Sequence, residues 1–151
     1  MTIMVPADVL QRIHSLLEEA YSDEGAGLLL GNVEGDEKWV KSIFPLPNVR
    51  EDGARHNRFL ITAEDFFRGE QAAAHLGMDV IGVYHSHPDS PNRPSEYDRQ
   101  WALPWFSYII TWVQKGQALS SRSWWLTEDR QRFIEEELVI NAASVITKEK
   151  V

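Results

Sequence analysis

The segment that most restricts the fold reads "MDVIGVYHSHPDSPNRPSEYD", Met78 to Asp98. Its first half is a β-branched run and reads as a strand. Pro88, Pro91 and Pro94 then fix a backbone torsion at every third position and stiffen the connection. "SEYD" reads as a helix start, with Ser95 as N-cap and Asp98 three residues on, as in a capping box. Alternate side chains of a strand share a face, so His85 and His87 point one way and Ser86 the other.

Two imidazoles on one face are a natural pair of zinc ligands, although surface pairs of this kind are common. The stiff loop changes the balance. It connects the histidines to a carboxylate at a set distance, as a preorganised site requires. Two neutral histidines and Asp98 make three ligands and leave a fourth zinc position for water, the arrangement of catalytic rather than structural zinc. A water activated in this way needs a base to take its proton and pass it to a leaving amine. Two residues are candidates. Glu96 follows Ser95 and is expected to face solvent. Glu24, in "SDEGAGLLLG", lies where a first helix ends and an apolar strand begins, with Gly25 and Gly27 allowing close backbone approach.

The remainder of the chain frames this segment. "TIMV" reads as a short strand, and Pro6 suits the first turn of a helix carrying Val9, Leu10, Ile13, Leu16 and Leu17 at helical spacing. His14 in that helix reads as a partly exposed polar position. "GLLLGNVEGDEKWVKSIFPLPNV" reads as two strands around a turn, with Leu28, Leu29 and Leu30 apolar on both faces. "NVREDGARHNRFLI" reads as a polar loop containing His56 that runs into a short strand. "TAEDFFRGEQAAAHLG" reads as a helix with a Thr62–Asp65 capping box, a buried face of Phe66, Phe67, Ala73 and Ala74, and Gly77 at its C-terminal end. "SYIITWV", "SRSWWL" and "RFIEEELVI" read as three further strands. The expected fold is a mixed α/β domain with a largely antiparallel sheet flanked by helices, spanning residues 1–140, with residues 141–151 as a flexible tail. Trp101, Trp105, Trp112, Trp124 and Trp125 are expected mostly in the core, with one or two lining a substrate groove.

Composition excludes several classes. The net charge of −8 argues against nucleic acid, whose backbone is gripped by clustered Lys and Arg. There are no cysteines, which removes disulfide frameworks, thiol nucleophiles and Cys-rich zinc sites, and fits a cytoplasmic location. The N-terminal residues read as neither a signal peptide nor a membrane anchor, and a membrane span is not expected.

"EGAGLLLG" followed by "HSHPDSPNRPSEYD" resembles the JAMM (MPN+) metalloprotease family, whose pattern is an upstream Glu, His-x-His-Pro, then Ser-x-x-Asp. All five positions are filled, and the ten residues between His87 and Asp98 match the family spacing. Ala26 stands where many small relatives carry Cys, at a position that is not a ligand. The resemblance implies a single MPN/JAMM-like domain with a cytidine-deaminase-like three-layer arrangement. It implies a zinc-dependent hydrolase of peptide or isopeptide bonds, with His85, His87 and Asp98 binding Zn2+. It further implies Glu24 as general base and then acid, and Ser95 steadying the oxyanion. The compact chain looks like the small stand-alone prokaryotic members. For those the resemblance suggests action at the C-terminus of ubiquitin-like or sulfur-carrier proteins. The alternatives are a non-catalytic MPN scaffold, which lacks parts of the ligand set; a zinc deaminase, which needs Cys ligands; and a metal-dependent phosphoesterase, disfavoured by the acidic charge. Oligomeric state is not legible.

Overall fold

The computed structural model describes residues 1–47 and 61–142. The loop reading at His56 and nearly all of the expected tail lie outside the described residues. The elements run β1 (Thr2–Pro6), α1 (Ala7–Ala20), β2 (Ala26–Glu34), β3 (Glu37–Leu46), α2 (Ala63–His75), β4 (Asp79–Pro88), α3 (Glu96–Trp101), β5 (Ser107–Gln114), β6 (Gln117–Leu126) and β7 (Phe133–Asn141). The helices and strands expected within the described residues are present, while the short strand expected after the His56 loop falls almost wholly outside them; β7 ends one residue past the expected domain boundary. No described helix is long and apolar enough to cross a membrane.

The strands are ordered β1-β3-β2-β4-β5-β6-β7, and β1 pairs with β7 as well as β3, so the sheet closes. The sheet is less antiparallel than expected, because β1–β3, β1–β7 and β4–β5 are parallel. Closure depends on β1, a short strand whose pairing with the far end of the chain has no local signal. Helices lie on both faces, as expected, but a cytidine-deaminase-like layout is not established by this closed sheet.

Two apolar clusters sit on the two faces. Leu10, Ile13 and Leu17 of α1 pack with Leu29, Val40, Ile43, Tyr84 and Ile109. On the other face Ala73 of α2 packs with Leu28, Leu30, Val83 and Tyr108. Leu28, Leu29 and Leu30 are all buried, as a strand covered on both faces requires. In α2 the Thr62–Asp65 capping box is present and Gly77 follows the helix with φ of 71°. Its buried stripe differs from the sequence reading. Phe67 is 57% exposed and Ala74 is exposed, whereas Gly69 is buried because Leu28 lies where its Cβ would be. The turn between β5 and β6 is Lys115 and Gly116, both at positive φ as a two-residue hairpin demands.

One irregularity sets the site. Leu29 pairs with Gly82 and Leu30 with Val80, so Ile81 is an extra residue, a β-bulge in β4. Ile81 and Tyr84 belong to the α1-side core, while Val80 and Val83 pack on the α2 side. Strict alternation from Ile81 would turn residues 83, 85 and 87 toward α1. The bulge shifts the phase, and His85 follows Val83 to the α2 side. A Cβ at Gly82 would lie 2.3 Å from the Ser107 carbonyl and 3.0 Å from Leu29 Cδ1. Gly82→Ala is therefore expected to lower the unfolding free energy by about 3 kcal/mol. Urea denaturation checks this, and an unchanged midpoint would mean that β4 and β5 do not approach so closely.

Candidate active site

A parallel pair such as β4–β5 needs a long crossover. Here the crossover is residues 89–106, so the Pro-rich loop and α3 belong to the connection itself. α3 therefore returns its first turn over the end of β4.

His85 is fully buried and His87 nearly so, with ring centroids 5.3 Å apart. Asp98 spans the pair, with Oδ1 3.5 Å from His85 Nε2 and Oδ2 3.2 Å from His87 Nε2. Glu24 is 6% exposed, and ligand atoms of Glu24, His85 and His87 lie within 4.8 Å of one another. Four groups expected to carry the chemistry thus converge: Glu24, His85, His87 and Asp98. Ser95 stands at the edge, where the capping box is reciprocal. Its Oγ accepts the Asp98 amide at 3.1 Å, and Asp98 Oδ2 accepts the Ser95 amide at 2.8 Å. Glu96 is exposed and paired with Arg99, as expected of a residue facing solvent.

The electrostatics suit a cation. Burial holds the His85 imidazolium down to about 4, against the pull of Asp98, so His85 is neutral at neutral pH. Burial alone would push the Asp98 carboxyl up, but His85, His87 and the Ser95 amide bring it down to about 2. Neutral imidazole and ionised carboxylate are the protonation states that bind metal. The ring orientations agree. His87 Nδ1 is 2.7 Å from the Pro91 carbonyl, which requires an N–H there and leaves the unprotonated Nε2, with its lone pair free for a metal, on the Asp98 side. Two imidazoles and the Asp98 carboxylate make a donor set that fits a divalent transition metal, with Glu24 beside it.

Three residues that hold the site had no assigned part in the sequence reading. Asp89, at φ of 55°, accepts from the Tyr21 hydroxyl and from the Lys115 amide, tying the loop to the end of α1 and to the β5–β6 turn. Asn92 is buried; its Nδ2 donates to the Ser120 carbonyl and hydroxyl, and its carbonyl accepts from Trp124 Nε1. Asp and Asn in a Pro-rich loop are the available signal, since both stabilise turns through their side chains. Ser86 is the third.

Beside His85 and Asp98 opens a mostly apolar pocket lined by Phe66, Val83, Tyr97, Trp101 and Tyr108 among others. The tryptophans differ from expectation. Trp101 and Trp105 are 65% and 67% exposed, and Trp112, Trp124 and Trp125 are only half-buried. Trp101 lies at the end of α3 and lines the pocket.

This fold and donor set suit metal-dependent hydrolysis. A family model described as prokaryotic homologs of the JAB domain matches residues 6–127, and the chain belongs to that family. It is 28% identical over 113 residues to a probable TtuB-protein conjugate cleaving protease of Thermus thermophilus, covering 73% of this chain and 70% of the relative. It is likewise 28% identical over 108 residues to a desampylase of Haloferax volcanii, covering 72% of this chain and 74% of the relative. Among solved structures, a protein from Salinibacter ruber superposes with a TM-score of 0.72 at 37% identity, over 93% of this chain and 92% of the other.

Proposed function

We propose that this protein is a zinc-dependent peptidase or isopeptidase acting at the C-terminus of a ubiquitin-like or sulfur-carrier protein. The observation that carries the reading is the buried convergence of Glu24, His85, His87 and Asp98. His85, His87 and Asp98 would hold zinc. A bound zinc ion would polarise the scissile carbonyl and lower the pKa of its water to about 7. Glu24, beside the two imidazoles, takes the proton and delivers it to the departing amine. Ser95 Oγ already accepts the Asp98 amide, so its own proton is available to a developing oxyanion. The substrate class is supported by the two relatives, whose names describe cleavage of protein conjugates. The apolar pocket and the exposed Trp101 supply a wall against which a protein tail can lie.

A non-catalytic scaffold is the second reading, and the complete, mutually aligned donor set counts against it. Metal analysis of protein never exposed to chelator separates the two. Close to one zinc per chain is expected, and the absence of any transition metal would remove the catalytic reading.

A further inference from the structure

β2 and β4 pair from Ala26↔His85 onward. One more antiparallel step would oppose Gly25 to Ser86, immediately beside Glu24. Half of that step is regular, since the Ser86 amide donates to the Gly25 carbonyl at 3.0 Å. The other half is not. The Gly25 amide donates to the Ser86 side chain, at 2.9 Å, where a continued ladder would use the Ser86 carbonyl. The Ser86 carbonyl instead lies 3.5 Å from His85 Nδ1, a long contact on the side that favours an N–H there.

The hydroxyl is buried, with Ser86 only 1% exposed. Gly25 is wedged as well: a Cβ there would sit 2.9 Å from Ala20 Cβ and 3.0 Å from Leu17 Cδ2. Residue 25 is therefore held between the end of α1 and β4, and Glu24 hangs from it, outside any strand.

We propose that Ser86 is a positioning residue. Its hydroxyl holds Glu24 over the two imidazoles through the Gly25 amide, and leaves the Ser86 carbonyl for His85. Without the hydroxyl, either the Gly25 amide stays unsatisfied or it turns to the Ser86 carbonyl and withdraws it from His85. Both outcomes displace Glu24. The proposal rests on the reading of Glu24 as the proton carrier.

Ser86→Ala removes the acceptor, and Ser86→Cys keeps nearly the same shape with a poor one. Both are expected to lower kcat on a substrate cleaved by the unaltered protein on the order of 10- to 100-fold, the usual cost of removing an orienting partner. KM should stay within about twofold, because the tail-binding surface is untouched. Ser86→Thr keeps a hydroxyl and is expected to recover most of the rate. A second readout needs no turnover. Hydrogen exchange of the Gly25 amide, followed by NMR in zinc-loaded protein, should be slow in the unaltered protein and in Ser86→Thr. It should accelerate at least about tenfold in Ser86→Ala and Ser86→Cys, as local opening predicts. An alanine or cysteine variant with unaltered kcat, or with unaltered Gly25 exchange, overturns the proposal. If the unaltered protein cleaves nothing, the hydrolase reading fails while the exchange experiment still decides whether Ser86 holds Gly25.

Discussion

Glu24→Gln is expected to keep the metal and lose hydrolysis. The glutamine has the same shape and the same backbone anchor at Gly25, so the fold and the imidazole pair should not change. What it cannot do is take a proton. General acid–base groups contribute about 10²- to 10⁴-fold, and a group serving both in attack and in departure should lie toward the upper end. Metal content and thermal stability should match the unaltered protein. The distinction from Glu96, the other candidate in the sequence, is direct. Glu96 is exposed and engaged by Arg99, and Glu96→Gln should leave the rate within about twofold. The reverse pattern would transfer the proton-carrying role to the loop.

Asp98→Ala is expected to have the second large effect, and of a different kind. Asp98 contacts both imidazoles and also closes the capping box that starts α3. Its removal takes away one donor of the set and the acceptor for the Ser95 amide together. Metal content should fall from close to one per chain to near zero, and activity with it. Losing the capping carboxylate should cost about 1 kcal/mol of stability besides. Asp98→Asn separates the two roles. The amide oxygen still accepts the Ser95 N–H, but the neutral side chain is a poor zinc ligand. Stability measured without metal should therefore be closer to that of the unaltered protein in Asn than in Ala, while metal is lost in both.

What could be read from the sequence follows from how local each feature is. Ser95 and Asp98 announce themselves because a capping box needs only four consecutive residues. His85 and His87 share a face because strand alternation is local too. Which face they share was not legible. It is set by the bulge at Ile81, which arises from pairing with β2 some fifty residues earlier. Glu24 shows the limit more sharply. Spacing made Glu24 only a candidate base, with Glu96 expected to face solvent, and the family resemblance gave it the role; the structure brings it to the histidines through the long-range β2–β4 ladder. Closure of the sheet by β1 and β7 depends on pairing across almost the whole chain. Trp101 lines the pocket, as one or two of the tryptophans were expected to, whereas the exposure of Trp105 departs from the usual tendency of large aromatic residues to find a core.

The central claim is metal-dependent cleavage by this buried set of groups. The most direct measurement is intact mass spectrometry of ubiquitin-like and sulfur-carrier proteins bearing extra C-terminal residues. Each would be incubated with zinc-loaded protein, chelator-treated protein and the Glu24→Gln variant. Loss of the appended residues from at least one carrier is expected with zinc-loaded protein only, with recovery when zinc is returned after chelation. Intact carriers throughout, or equal trimming by the chelator-treated protein and the Glu24→Gln variant, would contradict it.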